Sequence, residues 1–140
     1  AWLDAAEEAM GKEFHGKYDI WGGDIDPRAV DIARSNAVKA GVEDCVRFEV
    51  ADMKNFRRNS PYGQLVTNPP YGERLMDRAE AEALYRELGR VWQRLPDGWR
   101  TLVLSSHTEF ERTFGRPADK KRKLYNGMLK CDLFMYGKTC

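Results

Sequence analysis

The chain has 140 residues, of which 42% are hydrophobic and 32% are charged, and its formal net charge is +1. This is the composition of a globular domain rather than of a disordered segment, and no apolar run reaches the roughly 20 residues that span a bilayer. No signal peptide is visible, and the three cysteines are widely spaced without a CxxC pair. We therefore expect a cytoplasmic protein without a disulfide framework or a cysteine-built zinc site.

Charge is distributed unevenly along the chain. Residues 1–56 carry twelve acidic and seven basic side chains, whereas residues 109–140 carry eight basic and four acidic ones. Ordinary variation of the surface explains such a difference, and so does a basic end that meets a polyanion. Charge alone does not decide between these interpretations.

The first half of the chain alternates helix-like and strand-like segments. Residues 1–10 are typical of the end of a helix and residues 18–25 of a short strand. The pair Asp26-Pro27 predicts the cap and first position of a second helix, which Gly41 ends. Residues 45–50 alternate apolar and polar side chains, which indicates another strand.

The second half continues this alternation. Residues 64–67 form a short apolar strand that runs into Asn68-Pro69-Pro70-Tyr71. Asp77 followed by Glu80 is typical of a capping box and predicts a helix that ends near residue 95. Residues 99–105 give the clearest strand pattern of the chain.

The last segments predict a short helix and a hairpin. Ser106 with Glu109 repeats the capping pattern, and Gly115 is expected to end that helix. Asn126-Gly127 joins two alternating runs, which is a strong hairpin signal. The whole pattern predicts an α/β domain over residues 1–140, built on a doubly wound, mostly parallel sheet with an antiparallel hairpin at its C-terminal end.

Polar side chains follow three of the predicted strands. Ligands of such sheets bind at the carboxyl ends of the strands, so Asp24, Asp52 and Asn68 are expected along one rim. A carboxylate at Asp24 can accept both hydroxyls of a ribose, and Asp52 can accept from an adenine amino group. Helix caps and turns are the alternative roles for such residues, and we interpret Asp26 as a cap.

The tetrapeptide Asn68-Pro69-Pro70-Tyr71 is the most specific signal in the sequence. A Pro-Pro pair can simply stop a strand, but that role requires neither the preceding Asn nor the following Tyr. The Asn68 side-chain oxygen and the Pro69 carbonyl could both accept from the exocyclic amine of a base, which would hold that nitrogen toward a methyl donor. Tyr71 offers a ring on which an extruded base can stack.

Other candidate residues carry less information. His15 and His107 are far apart in sequence and belong to no metal-binding motif, so we interpret both as surface or capping residues and expect no metal. A hydrolase would need Ser105 or Ser106 within a G-x-S-x-G elbow, which is absent. Two roles are open for the basic run of the predicted hairpin, solvated charge on a sheet edge or contact with RNA phosphates; its members are Lys120, Lys121, Arg122 and Lys123.

Three strings carry a resemblance to a known family: GGDIDPRAVDIARSNAVKAGV, VTNPPYGERL, and KRKLYNG with the following Cys131. The chain resembles the THUMP-associated, RlmL-type ribosomal RNA guanine-N2 methyltransferases over nearly its whole length. The resemblance implies a Rossmann-like class I methyltransferase fold, S-adenosylmethionine as cofactor, an RNA substrate, and methyl transfer to guanine N2 of large-subunit ribosomal RNA. It implies a catalytic role for Asn68, Pro69, Pro70 and Tyr71, and cofactor binding by Asp24, Ile25, Asp52, Met53 and Asn68.

The chain also departs from that family. The family binds the methionine part of the cofactor on a Gly-rich loop after its first strand, and no DPxCGSGT-like string occurs here. In the family that strand lies between those matching residues 18–25 and 64–67. We therefore expect a partial methyltransferase domain that lacks the first strand and the RNA-binding THUMP region, that is inactive alone although its parent is active, and that can self-associate through the gap.

Two other functions are consistent with the sequence. A DNA adenine-N6 methyltransferase is the nearest one, since the same tetrapeptide serves both amines. A non-catalytic nucleic-acid-binding fragment that uses the basic C-terminal end is the other, and binding of S-adenosylmethionine to the parent protein separates it from both enzymes.

Overall fold

The structure is a computed structural model that describes residues 2–11, 19–70 and 77–137. It divides into two compact units, Ala1–Ala51 and Asp52–Cys140. The first unit holds two helices and two strands: α1 (Trp2–Gly11), β1 (Ile20–Asp24), α2 (Pro27–Ala40) and β2 (Val46–Val50). The second holds a short 3-10 turn (Met53–Asn55) and six further elements: β3 (Tyr62–Thr67), α3 (Arg78–Arg94), β4 (Gly98–Ser105), α4 (Phe110–Phe114), β5 (Lys120–Asn126) and β6 (Leu129–Gly137).

In the first unit, β1 and β2 pair in parallel, and α2 connects them. The Asp26 side chain caps α2, Pro27 is its first residue, and Gly41 ends it with a φ of 72°. A residue with a side chain would be strained at that φ, which is why the helix ends at a glycine. The predicted cap, start and end of this helix are confirmed.

In the second unit, four strands form a mixed sheet in the order β3-β4-β6-β5. β3 is parallel to β4, and β6 runs antiparallel to both of its neighbours. β5 therefore has the same direction as β3 and β4, and the carboxyl ends of these three strands, at Thr67, Ser105 and Asn126, meet at one edge. The α/β class is confirmed, but the described strands form a parallel pair and a mixed sheet rather than one mostly parallel sheet.

Helices α3 and α4 pack against this mixed sheet. Asp77 caps α3 by accepting from the Glu80 amide at 2.8 Å, as predicted, and the helix ends at Arg94. Gly89 allows α4 to approach, because a Cβ there would lie 2.0 Å from the Phe114 carbonyl oxygen. The buried core cluster consists of Ala81, Tyr85, Leu88, Trp92, Val103, Phe110, Phe114, Phe134 and Tyr136.

Two predicted boundaries are wrong by a few residues. The cap of α4 is Glu109 and not Ser106, because the Phe110 amide bonds the His107 carbonyl in a turn that delays the helix. The hairpin forms as expected, but Asn126 still pairs with Leu129, so its loop is 127–128. Gly127 is the first residue of that loop and has a φ of 66°, a conformation that glycine adopts without strain.

No helix of the described ranges is long and apolar enough to cross a membrane.

Candidate functional site

Asp24 is the last residue of β1, and its side chain is exposed. Its Oδ1 accepts a hydrogen bond of 2.9 Å from the Asp26 amide, which fixes the orientation of the carboxylate. A shallow depression of about 150 Å³ lies beside it, lined in part by Gly22, Gly23 and Phe48. A Cβ on Gly22 would lie 2.8 Å from the Phe48 ring, so glycine at this position leaves room for that ring.

The residues that follow Asp24 have separate roles. Ile25 is 67% exposed, so it presents an apolar side chain next to that carboxylate. Asp26 accepts from the Arg28 amide at 2.9 Å and pairs with the Arg28 guanidinium. Hydrogen bonds from the Arg28 side chain and then from its amide lower the pKa of Asp26. The predicted helix-capping role of Asp26 is thereby confirmed.

Asp52, in the second unit, caps the 3-10 turn that follows it. Its Oδ1 accepts from the Lys54 amide at 3.1 Å, and its Oδ2 lies 3.7 Å from Lys54 Nζ. This is the capping role that the sequence left open beside cofactor binding. Met53 packs its partly buried side chain against the core cluster, which attaches the turn to the rest of the unit.

The same turn is held from outside by Arg94, at the end of α3. Its Nη2 atom donates to the Lys54 carbonyl at 2.6 Å and to the Phe56 carbonyl at 3.2 Å. Sequence reasoning did not identify this residue. A basic side chain in the last turn of a helix is usual, and nothing in its spacing indicates a distant backbone partner.

The segment after β3 begins with an exposed Asn68, followed by a buried Pro69 and a partly buried Pro70. Tyr71, the fourth residue of the predicted catalytic motif, lies outside the described residues. The Tyr85 hydroxyl of α3 donates to the Pro70 carbonyl oxygen at 2.6 Å. The motif is therefore attached through its backbone to the core of the second unit.

Tyr85 is fully buried and belongs to a polar chain within the core. Ser105 Oγ lies 3.4 Å from the Tyr85 hydroxyl and accepts from the His107 amide at 3.1 Å. Burial raises the pKa of Tyr85, which keeps the hydroxyl protonated and able to donate. Sequence reasoning did not identify Tyr85, although a buried tyrosine hydroxyl requires a partner.

His15 lies outside the described residues, and His107 is partly buried in the turn that precedes α4. Its Nε2 lies 3.4 Å from Glu82 Oε1, which Arg78 also contacts at 3.1 Å. A hydrogen bond from Arg78 lowers the pKa of Glu82 against the opposing effect of burial, with His107 and Arg112 adding to the lowering. Among the described residues, no group of three or more His, Cys, Asp or Glu side chains is arranged to hold a metal ion.

The predicted basic run lies on β5, the outer strand of the mixed sheet. All four side chains are exposed, and Lys121 Nζ contacts Glu111 Oε1 at 2.9 Å. Because β5 runs parallel to β3, the hairpin loop that follows it lies at the edge of the sheet where Asn68 begins. The structure therefore supports both interpretations of this run, since it is on an outer strand and leads to the edge that carries the motif.

Among the known proteins that resemble this chain are two curated relatives and one solved structure. YpsC of Bacillus subtilis, named as a candidate RNA methyltransferase, is 44% identical over 117 residues, covering 84% of this chain and 30% of that protein. The ribosomal RNA large subunit methyltransferase K/L of Shewanella sp. (strain W3-18-1) is 37% identical over 139 residues, covering 96% of this chain and 20% of its own length. A crystal structure of SMU.472, described as a candidate methyltransferase complexed with SAH, has a TM-score of 0.89 at 42% identity, and the match covers 96% of this chain and 36% of that one.

The chain thus spans between a fifth and a third of the length of these curated relatives. The α/β elements of this chain match those of the SMU.472 structure over nearly the whole length of this chain. The family model described as "UPF0020: RMKL-like, methyltransferase domain" matches residues 2–134. The chain belongs to this family of RMKL-like methyltransferase domains.

Proposed function

We propose that this chain is the C-terminal part of the catalytic domain of an S-adenosylmethionine-dependent RNA methyltransferase that acts on the exocyclic amine of a base, guanine N2 of large-subunit ribosomal RNA. The observation that carries the proposal is the Asn68-Pro69-Pro70 segment, anchored by Tyr85 at the carboxyl end of β3. Membership of a methyltransferase family makes that segment a candidate for chemistry rather than a simple strand end.

The segment suits an amine nucleophile. An exocyclic amine is weakly nucleophilic because its lone pair is delocalised into the base. Acceptance of its two N–H groups by the Asn68 side-chain oxygen and the Pro69 carbonyl would hold the nitrogen in place, with its lone pair directed at the methyl donor. The new N–C bond forms as the S–C bond of the donor breaks, and the proton released from the amine passes to water.

The described residues include acceptors suited to the nucleoside part of the cofactor. Asp24 is exposed at the end of β1 with its carboxylate oriented, as two ribose hydroxyls require. Asp52 is oriented by the turn that it caps, and Ile25 adds an exposed apolar side chain. S-adenosylmethionine supplies the methyl group when bound, and the SAH bound to the SMU.472 relative supports the same cofactor class for this chain.

We propose further that the two units belong to one methyltransferase domain. The family model crosses both units without interruption, from residue 2 to residue 134. The 140-residue chain alone is expected not to transfer methyl groups, because its sequence has no DPxCGSGT-like string to hold the methionine part of the cofactor.

Ribosomal RNA is the proposed partner because a matched relative is named as a large-subunit ribosomal RNA methyltransferase. The exposed basic run on β5 leads toward the edge that carries Asn68, which places positive charge where RNA phosphates would approach. The motif could accept the exocyclic amine at adenine N6 of DNA in the same way as guanine N2, so DNA is included in the test.

The proposal is tested on the intact protein with S-adenosylmethionine and three substrates: unmodified large-subunit ribosomal RNA, an unrelated RNA, and double-stranded DNA. Digestion to nucleosides and mass spectrometry identify the methylated base. N2-methylguanosine in the ribosomal RNA is the expected product. N6-methyladenine in DNA would replace this function by the rival one, and failure to bind S-adenosylmethionine would refute both.

A further inference from the structure

Helix α3 contacts both segments to which the proposed function assigns chemistry in the second unit. Tyr85 reaches the motif after β3, and Arg94 reaches the turn after Asp52. The two side chains are nine residues apart, which corresponds to about 13.5 Å along a helix axis. One rigid element therefore supports two loops that are themselves short and irregular.

The motif depends on a side-chain donor for its attachment. Neither Pro69 nor Pro70 has a backbone N–H group, so this part of the loop cannot donate a ladder hydrogen bond. It can be fixed only through carbonyl oxygens and packing. The Tyr85 hydroxyl satisfies the first requirement at 2.6 Å from the Pro70 oxygen, and the burial of Pro69 satisfies the second.

The turn after Asp52 depends on Arg94 in a comparable way. One Nη2 atom binds two carbonyls, at Lys54 and Phe56, on either side of the last residue of the 3-10 turn. A planar guanidinium fixes such a pair more rigidly than a lysine ammonium can. Because this turn carries Asp52, a shift of its backbone would move the proposed acceptor of the adenine amine.

We propose that Tyr85 and Arg94 are positioning residues with separable effects, Tyr85 on methyl transfer and Arg94 on cofactor binding. This inference rests on the proposed function. Tyr85 fixes the segment that accepts the target amine and makes no contact with the cofactor's nucleoside. Arg94 fixes the turn that carries Asp52, the proposed acceptor of the adenine amine.

Tyr85→Phe in the intact protein tests the first half, because it removes only the hydroxyl. Tyr136→Phe is its matched control, since Tyr136 is also buried in the core cluster and donates to a backbone carbonyl, that of Arg116, at 3.0 Å. We expect Tyr85→Phe to lower kcat on ribosomal RNA about 10-fold to 100-fold, as for a small misplacement of reacting groups, with unchanged affinity for S-adenosylmethionine. Tyr136→Phe should lower the unfolding midpoint without lowering kcat.

Arg94→Gln tests the second half, with Arg90→Gln on the same helix as the control. We expect Arg94→Gln to raise the Kd for S-adenosylmethionine about tenfold, while kcat at saturating cofactor is retained. Arg94→Lys should restore the affinity only in part, because the more mobile lysine side chain has no planar group to fix the directions of the two hydrogen bonds. Calorimetry with S-adenosylmethionine measures the affinity directly, without any turnover.

Amide hydrogen exchange, measured by mass spectrometry, tests the two positioning roles without requiring methyl transfer. Tyr85→Phe should speed exchange at residues 65–68 and Arg94→Gln at residues 53–56, whereas neither control should change either segment. Equal loss of kcat in Tyr85→Phe and Tyr136→Phe, or unchanged exchange in both segments, would overturn the inference. A wild-type protein that methylates no RNA while these exchange differences persist would instead refute the proposed function and leave the positioning roles standing.

Discussion

The amide of Asp26 donates to the carboxylate of Asp24 at 2.9 Å, so the residue that caps α2 also orients the acid that ends β1. The two carboxylates are two positions apart and have different tasks. Asp26 is engaged by the amide and the guanidinium of Arg28. Asp24, by contrast, remains exposed and directed by a single backbone donor among the described residues.

Substitution of these two acids should separate cofactor binding from stability. In the intact protein, Asp24→Ala is expected to weaken binding of S-adenosylmethionine by about 1–3 kcal/mol, because two ribose hydroxyls lose a charged acceptor. Asp26→Ala is expected mainly to lower the melting temperature by removing a helix cap. Calorimetry and thermal unfolding of both variants check this, and the reverse assignment would contradict the placement of the strand end.

Asn68→Ala should mainly affect the chemical step. Loss of one preorganised acceptor of the target amine is expected to lower the rate of methyl transfer by about 10²–10³, with little change in cofactor affinity. Single-turnover transfer to ribosomal RNA measures this effect. Asn36→Ala, at an exposed position of α2, is the control and should transfer at the wild-type rate. Near-normal turnover of Asn68→Ala would refute the proposed role of its side chain.

The basic run on β5 can be tested residue by residue. Arg122 is exposed, whereas Lys121 contacts Glu111 at 2.9 Å and is partly neutralised before any RNA arrives. If the strand contacts phosphates, Arg122→Ala should weaken RNA binding and reduce the slope of log affinity against log salt by about one, and Lys121→Ala should have a smaller effect. Equal slopes in both variants and the wild type would favour the solvated-edge interpretation.

Glu111 links α4 to the chain that leads into β5, and this link should depend on pH. It accepts from the Ala118 amide at 2.7 Å and from Lys121 Nζ at 2.9 Å. Burial alone would raise the pKa of Glu111, but the hydrogen bonds from Lys121 and Ala118 outweigh it and lower that pKa. A lowered pKa in the folded state means that the carboxylate stabilises the fold above the ordinary glutamate range and loses that contribution as the pH falls through the folded value.

Glu111→Gln is therefore expected to reduce the free energy of unfolding by about 1 kcal/mol at pH 7, a value that allows for solvent screening. The difference from wild type should shrink as the pH falls below the ordinary glutamate range, because the unfolded chain takes up a proton first and the folded carboxylate follows at its lowered pKa. Urea unfolding at pH 7 and at pH 3.5 checks this. A difference that stays constant between the two pH values would show that the charge of Glu111 is not the stabilising feature.

Local signals in the sequence predicted most of the helices and strands well, because each depends on neighbouring residues. The cap at Asp26, the glycine that ends α2 and the Asp77 cap all follow from local backbone chemistry. The contacts that attach the motif do not, since Tyr85 is 15 residues from Pro70 and Arg94 is 40 residues from Lys54. Such contacts are set by how α3 packs on the sheet, which no local pattern encodes.

The start of α4 was predicted wrongly because contacts outside the local sequence determine it. Ser106 with Glu109 has the spacing of a capping box, but the buried Ser105 hydroxyl takes the His107 amide and a turn precedes the helix. The His107 side chain lies beside Glu82, an acid on α3. Tertiary contacts override a local capping pattern in this segment.

Self-association of the 140-residue chain is the last prediction. β3 is an end strand of the mixed sheet, and on one of its faces Tyr62 is 79% exposed and Val66 is 68% exposed. Leu65, which the opposite face carries, packs instead against the core cluster. An outer strand with exposed apolar side chains is a template for pairing with another chain.

Light scattering of the isolated chain should therefore show a mass that rises with concentration, and Val66→Lys should reduce that rise because a charged side chain disfavours edge pairing. Val38→Lys is the matched control, since Val38 is a similarly exposed valine, at 60%, but lies on α2. An equal reduction by both variants would indicate a general effect of charge on solubility rather than pairing at β3. A wild-type chain that remains monomeric over the whole concentration range would refute the idea that this edge is open to a second copy.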